Sequence, residues 1–303
     1  MITIFTPAYN RAHTLPKLYE SLLKQTSKEF EWVIVDDGST DGTEELVSGF
    51  KEFQKVSSFK FQVSGAVPFE IRYFKQENGG KHTAINRGLE LAQGELFFIV
   101  DSDDYLTPDA VETILHDWEK VRDKNLCGIS YLRGYSEDKV IGDQHTKDGE
   151  IANFVEMRYN RGIAGDKAEV WVTEIMKQYP YPKYEGERFF GESWNFIQQS
   201  EEHDMLWRNK IIYLCEYLEG GLTQSGRALR IRCPRGGRDM SLIAMGPRFS
   251  MKVRLKNAML YVAYCFFAKM SLKEMLNNGQ RALSLLMLPA GWALYKYWNY
   301  KFE

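Results

Sequence analysis

Ile2 to Thr6 form an apolar run that breaks into the polar stretch AYNRAH, after which Leu15, Leu18, Leu22 and Leu23 recur at helical spacing. The run predicts a buried strand, and the leucines predict a helix from about Leu15 with Thr14 as its cap. The exchange of periods repeats. Phe30 to Val35 reads as a second strand and runs into DDGSTDGTEEL, where Asp41 and Glu44 stand at capping-box spacing for another helix. Ile71 to Phe74 is a third strand, Lys81 to Ala92 a helix, Leu96 to Val100 a fourth strand, and Thr107-Pro108 opens a further helix. Gln54 to Phe69 is too long and polar for a minimal connection and reads as a surface insertion.

This alternation predicts an α/β fold: a mostly parallel sheet with helices on both faces and ligands at the carboxyl ends of the strands. Each unusual polar cluster falls at such an end: TPAYN after the first strand, DDGS after the second, ENGGKH after the third, DSDD after the fourth. Four loops are therefore expected to build one site. Beyond Cys127 the pattern loosens into short strands and polar loops up to about Gln224, with GDKAEVW (Gly165 to Trp171) and KYEGERFFGESW (Lys183 to Trp194) standing out.

A chain of 303 residues with 44% hydrophobic content can bury one large core, or one core and an appendage. The 14% aromatic share argues against wholesale disorder. Cys127, Cys215, Cys233 and Cys265 lie far apart without a CxxC pair, which suits reduced thiols better than zinc or a disulfide framework. No basic lead precedes a long apolar stretch at the start, so no signal peptide is expected. The longest apolar runs, Ala258 to Ala268 and Ala282 to Leu294, fall short of the roughly 20 residues that a spanning helix needs.

The net charge of −2 hides an asymmetry. From Arg227 onward fourteen Lys and Arg face three Asp and Glu, a surplus of eleven that leaves −13 for residues 1–226. Within the basic part, Arg248 to Met270 alternates cations with apolar side chains, and Leu283 to Trp298 is dense in Leu, Met, Tyr and Trp. This pattern suits a helical, basic amphipathic tail lying on an anionic membrane surface through residues 248–303. The other reading is a helical appendage packed on the acidic body. Nucleic acid is the poorer fit, because the basic segment is strongly apolar and carries no RNA-binding motif.

FIVDSDDYLTPD crowds Asp101, Asp103 and Asp104 together where a strand ends. Like charges at this spacing need full solvation or a cation between them. Their hard oxygens suit Mg²⁺ or Mn²⁺, which complete their shells with water and substrate phosphates. Asp37 either accepts the N3 proton of a uracil or braces the DDGS turn and the helix after it. Pro7, Ala8 and Tyr9 offer a carbonyl and a ring beside such a base, or else a rigid turn with a packed tyrosine. Gly79-Gly80-Lys81 lets backbone approach a ligand and brings a cation, unless the glycines serve only the turn.

TPAYNRAHTLPKLYESLLKQT, WVIVDDGSTDGT, NGGKHTAINRGLELAQGELFFIVDSDD and the later GES closely resemble the bacterial family 2 glycosyltransferases of the polysaccharide and cell-surface-glycan type. These have a GT-A fold, a Rossmann-like nucleotide-binding sheet with helices on both faces. The match is dense over roughly the first 110 residues and looser over the next 110. The resemblance implies a metal-dependent, inverting transfer from a nucleotide-sugar, in particular a UDP-sugar, to a polysaccharide or lipid-linked glycan. Asp37 would hold the uracil, Asp36 and the Pro7 to Tyr9 turn would support the nucleoside, and Lys81 and Asn86 would lie near base and ribose. Asp103 would contact the ribose or the metal, and Asp104, with Asp101 nearby, would bind the Mn²⁺ or Mg²⁺ that bridges the diphosphate. That cation would stabilise the charge developing on the departing UDP.

The family's general base falls near Glu192 in GERFFGES, with Glu187 second; the common ED pair is here ES. Asp166, Lys167 and Glu169 in GDKAEVW line the acceptor side or form a structural turn. His82 and His203 read as packing or surface residues. The expected organisation is a GT-A domain over 1–225, with a nucleotide-binding half (1–110) and an acceptor half (111–225), followed by the membrane-associating tail, 226–303. The implied location is the cytoplasm, peripheral on the inner face of the cell membrane. Two other classes stay open. A sugar-1-phosphate nucleotidyltransferase would carry a Gly-rich basic loop where this chain has TPAYNRAH, and a non-catalytic membrane adaptor is opposed by the intact acidic triplet.

Overall fold

A computed structural model describes residues 1–50, 69–215 and 222–302; of the expected insertion, all but Phe69 lies outside the described residues. The chain divides into two compact units. The first holds the described residues of Met1–Ala152, Ile163–Pro180 and Glu202–Tyr217, the second those of Asn153–Gly162, Tyr181–Glu201 and Leu218–Glu303.

The first unit contains, in chain order, β1 (Ile2–Ala8), α1 (Leu15–Leu23), β2 (Phe30–Asp36), α2 (described over residues 43–50), β3 (Glu70–Lys75), α3 (Lys81–Leu91), β4 (Leu96–Ile99), β5 (Asp104–Leu106), α4 (Ala110–Glu119), β6 (Gly128–Ser136), β7 (Lys139–Val140), β8 (Glu150–Ala152), β9 (Lys167–Val172), α5 (Thr173–Met176) and β10 (Met205–Cys215). The strands form one sheet in the order β3-β2-β1-β4-β9-β6-β10-β5, with β7 on β6 and β8 on β10. The β3-β2-β1-β4 half is parallel, as the alternation predicts. β9 then runs antiparallel between β4 and β6, and β10 is parallel to β6. The order reverses at β1, which lies between β2 and β4, and a crevice at the carboxyl ends is where such a reversal places ligands.

β2, FEWVIVD, is buried at every position, the continuous apolar pattern of a strand covered on both sides. Alternate positions of β1 serve the two faces. Ile2 and Ile4 join Leu15, Leu18 and Leu22 of α1 in one core. Phe5 lies under α3, which approaches so closely that a Cβ at Gly88 would stand 2.2 Å from the Phe5 ring. Two expected caps differ. Thr14 donates to the Arg11 carbonyl at 3.3 Å instead of accepting a helix amide. Asp41 accepts the Thr43 amide at 3.1 Å, one residue before the Glu44 amide that a capping box uses, and Glu44 pairs with Lys75 on β3 at 3.0 Å.

The second unit contains α6 (Ser193–Gln199), α7 (Leu222–Arg232), α8 (Pro234–Ile243), α9 (Met251–Phe267), α10 (Leu272–Leu276), α11 (Arg281–Leu286) and α12 (Leu288–Phe302). α9 is its central helix, burying Ala258, Tyr261, Val262, Ala263, Tyr264 and Cys265. Met245 and Met275 pack with Tyr261 and Val262, and Trp298 packs with Ala263 and Tyr264. Among the described residues no helix is long and apolar enough to cross a membrane.

Candidate active site

The loops after β1, β2 and β4 meet with the start of α3. Asp36 braces the DDGS turn: Oδ1 accepts the Ser39 amide at 2.7 Å and Oδ2 the Tyr73 hydroxyl at 2.5 Å. Asp37, only 4% exposed, reaches across to the next loop. Its Oδ1 accepts from Gln76 Nε2 at 2.8 Å and the Gly79 amide at 3.0 Å, and its Oδ2 accepts the Gly80 amide at 2.7 Å. Gly80 precedes α3 at φ 93°, a conformation open to glycine. Lys81 follows, its Nζ 2.6 Å from Asp101 Oδ1, and half-buried Asn86 lies further along the same helix. The Ala8 carbonyl, beyond Pro7, is taken by the Asp37 amide at 2.8 Å, and Tyr9 beyond it is 47% exposed.

Asp101 and Asp104 form the centre of the site. The Asp104 amide donates to the Asp101 carbonyl at 3.1 Å, closing a tight turn with half-buried Asp103 inside it. Tyr213 of β10 donates to Asp104 Oδ2 at 2.8 Å, and its oxygen accepts the Asp101 amide at 2.9 Å. The Arg133 guanidinium of β6 lies 4.0 Å over the Tyr213 ring, with Nη1 3.9 Å from Asp101 Oδ2 and 3.8 Å from Asp104 Oδ2. Arg11 closes the other side, its Nε donating to Ser102 Oγ at 3.1 Å.

These neighbours push the two carboxyls apart. Burial would raise Asp101, but Lys81, Arg133 and Arg11 outweigh it and hold the group below the ordinary carboxylate value. Burial and then the charge of Asp101 push Asp104 up to about 7, against the pull of Arg133 and the Tyr213 hydrogen bond. Burial opposes the charge on Arg133, yet Tyr213, Asp101, Cys215 and Glu169 together hold it above its ordinary value.

Arg133 and Tyr213 belong to no motif of the sequence. The one sign of Arg133 is a charged side chain inside the apolar strand ISYLRGYS. The GDKAEVW residues separate: Asp166 is exposed, Glu169 half-buried, and Lys167 1% exposed with its ammonium donating to the carbonyls of Ala164 at 2.8 Å and Gly165 at 3.2 Å. The Lys167 carbonyl in turn accepts Arg133 Nε at 2.8 Å. His82 is buried in α3, and His203 Nδ1 lies 3.2 Å from the Asn125 carbonyl.

Both candidate bases belong to the second unit. Glu187 spans the start of α8, accepting the Arg235 amide at 3.0 Å and the Gly236 amide at 3.1 Å. Glu192 is the residue before α6, half-buried, and its carbonyl accepts the Tyr181 hydroxyl at 2.9 Å.

Among the described residues no group of three or more His, Cys, Asp or Glu comes together as a metal cage. Mg²⁺ and Mn²⁺ do not require one, because one or two carboxylates with phosphate oxygens and water complete their shell. Asp104 and Asp101 are the adjacent carboxylates of the crevice that would hold such an ion, with Arg133 3.8 and 3.9 Å from them. The residues fit a divalent ion shared with a phosphate-bearing ligand.

A family model described as glycosyl transferase family 2 matches residues 3–170. The chain belongs to the family 2 glycosyltransferases. Among relatives of the family, the glycosyltransferase GlyG of Streptococcus pneumoniae serotype 4 is 32% identical over 155 residues, 51% of this chain and 42% of GlyG. The chain thus spans about two fifths of that relative's length. TarS 1–349 of S. aureus, solved in complex with UDP-GlcNAc, is similar with a TM-score of 0.61 at 17% identity, covering 90% of this chain and 77% of that one. The mannosyltransferase PcManGT from Pyrobaculum calidifontis, in complex with GDP-Man and Mn²⁺, gives a TM-score of 0.57 at 17% identity, covering 99% and 82%. The fold of this family 2 glycosyltransferase chain is GT-A, as its motifs implied.

Proposed function

We propose that this chain transfers one sugar from a nucleotide-sugar, in particular a UDP-sugar, with inversion, onto a cell-surface polysaccharide or its lipid-linked precursor, using Mn²⁺ or Mg²⁺ held by Asp104 beside Asp101. The observation that carries the reading is the meeting of Asp101, Asp104, Lys81 and Arg133 at the carboxyl-end crevice, with Asp37 tied into the same loops.

In this reading Asp37 accepts the uracil N3 proton on an acceptor site its three N–H donors leave over, since a carboxylate has about four. Tyr9 lies beside the base, and Asp36, Asn86 and Asp103 support the nucleoside. A divalent ion bound at Asp104 supplies charge stabilisation to the leaving diphosphate. Lys81 and Arg133 add fixed positive charge there. Glu192 takes the proton of the acceptor hydroxyl; the hydroxyl oxygen bonds to the anomeric carbon from the face opposite the diphosphate, and the carbon–oxygen bond to phosphate breaks with its electron pair leaving on the nucleotide. Glu187 is the weaker choice of base because two amides of α8 already hold it. On the acceptor side Asp166 is favoured as the exposed member of its trio. The lipid-linked acceptor places the reaction in the cytoplasm at the inner membrane face.

TarS binds UDP-GlcNAc and PcManGT binds GDP-Man, so the test compares nucleotides. Calorimetric titration with UDP, GDP, CDP and TDP, each with and without Mn²⁺, should give tightest binding for UDP with metal and loss of that binding under chelation. Absence of nucleotide binding under every condition overturns the reading.

A further inference from the structure

α12 seats its inner side on α9. Gly291 and Trp298 are buried, and a Cβ at Gly291 would stand 2.5 Å from Val262, so the two helices approach closely along this side. A helix facing only water presents polar residues outward. α12 instead exposes Trp292 at 50%, Tyr297 at 54% and Tyr300 at 88%, and α11 before it exposes Leu285 and Leu286. Positions 292, 296, 297 and 300 share one side of the helix, because residues three, four and eight apart do so.

The cations on α12 stand at these aromatics. Lys296 Nζ is 5.7 Å from the Trp292 ring centroid, and Lys301 Nζ is 5.9 Å from that of Tyr297. An apolar body with a cationic tip is the arrangement of side chains at a bilayer interface. The sign of charge selects the partner. From Arg281 to Phe302, the span of α11 and α12, there are three cations, Arg281, Lys296 and Lys301, and no acid. Such a surface repels its own copy and attracts anionic headgroups.

We propose that the outer face of α11 and α12 docks on an anionic lipid bilayer, with Trp292, Tyr297 and Tyr300 entering the headgroup layer and Lys296 and Lys301 meeting lipid phosphates. The sequence spreads this contact over residues 248–303; the proposal places it on the last two helices, because α9 buries Ala258 and Tyr261 to Cys265 in the core of its unit and α12 carries the most exposed aromatics. The proposal rests on the lipid-linked-acceptor reading for its purpose and is independent of it for the binding itself.

The test is flotation of the full chain, without nucleotide, on vesicles of phosphatidylcholine alone and of phosphatidylcholine mixed with phosphatidylglycerol. The chain should float with the mixed vesicles alone and be released by high salt. Lys296→Gln with Lys301→Gln should weaken partitioning roughly thirtyfold. Trp292→Ser with Tyr300→Ser should also release it, and both variants should keep the parent's melting temperature and UDP titration, since the replaced side chains are outside the core. No flotation, or equal flotation on phosphatidylcholine alone, overturns the proposal. So does a dimer in gel filtration that Trp292→Ser with Tyr300→Ser converts to monomer, which would assign the face to a second copy. Failure of the nucleotide-sugar reading appears separately, as absent UDP binding with flotation intact.

Discussion

Tyr213 donates its hydroxyl to Asp104 Oδ2 at 2.8 Å and, on the same oxygen, accepts the amide of Asp101 at 2.9 Å. One phenol on β10 thereby fixes both ends of the DSDD turn. Tyr213→Phe removes both bonds inside a buried setting and should cost about 1–3 kcal/mol, seen as a lower thermal midpoint. It should also weaken Mn²⁺-dependent nucleotide binding in calorimetry, because the Asp104 carboxylate loses its orienting donor. A variant with the parent's midpoint and affinity would show that the turn holds itself.

Asp104 predicts a pH dependence. Its folded pKa, about 7, lies above the ordinary 3.8, so between those values the folded chain keeps a proton that the unfolded chain has lost. Stability from this group therefore falls as pH rises through that window and is level above about 7. Asp104→Asn lacks the dependence, so urea melts should show its stability relative to the parent rising across the window, by a few kcal/mol at most. A proton also competes with a metal for the carboxylate, and Mn²⁺-dependent UDP binding should weaken about tenfold per pH unit below 7. A flat profile in both measurements would contradict the assignment.

The two glutamates separate by what their loss should do. Glu192→Gln should lower kcat by roughly 10²–10⁴ while leaving UDP affinity in place. Glu187→Gln weakens the acceptor of two α8 amides and should instead cost about 1 kcal/mol of stability. Steady-state kinetics beside thermal melts reads both, and an inverted pattern would transfer the base to Glu187.

Gly88→Ala would press a methyl group to within 2.2 Å of the Phe5 ring. The clash should cost about 1–3 kcal/mol and displace α3, the helix that carries Lys81. Adding Phe5→Leu should recover part of the loss, which a double-mutant cycle of thermal melts would measure.

Most of the parallel half was legible because its signals are local. ITIF, FEWVIV and LFFI are apolar runs bounded by polar loops, and DDGS, GGK and DSDD each occur directly after a strand. Arg133 and Tyr213 reach the same turn from β6 and β10, which pair through two register shifts, and no spacing in ISYLRGYS names Asp101 as a partner. Glu187 resembled a base in its own segment, but its partners are the amides that begin α8, distant in sequence. For Lys167 the sequence leaves open an acceptor-side role or a structural turn, and its ammonium donates to its own loop's carbonyls. In the tail, composition cannot separate a helix that lies under others from one that lies on top; the packing of Gly291 and Trp298 on α9 makes that distinction.

Asp37 grips Gly79 and Gly80, and the very next residue, Lys81, grips Asp101. Further along the same helix, Gly88 is pinned against Phe5. The first turn of α3 is therefore tied on both sides, to the loop after β2 through Asp37 and to the loop after β4 through Asp101. Two loops that are far apart in sequence thus share one helix end, and the residues that hold it, Gly79, Gly80 and Lys81, are consecutive.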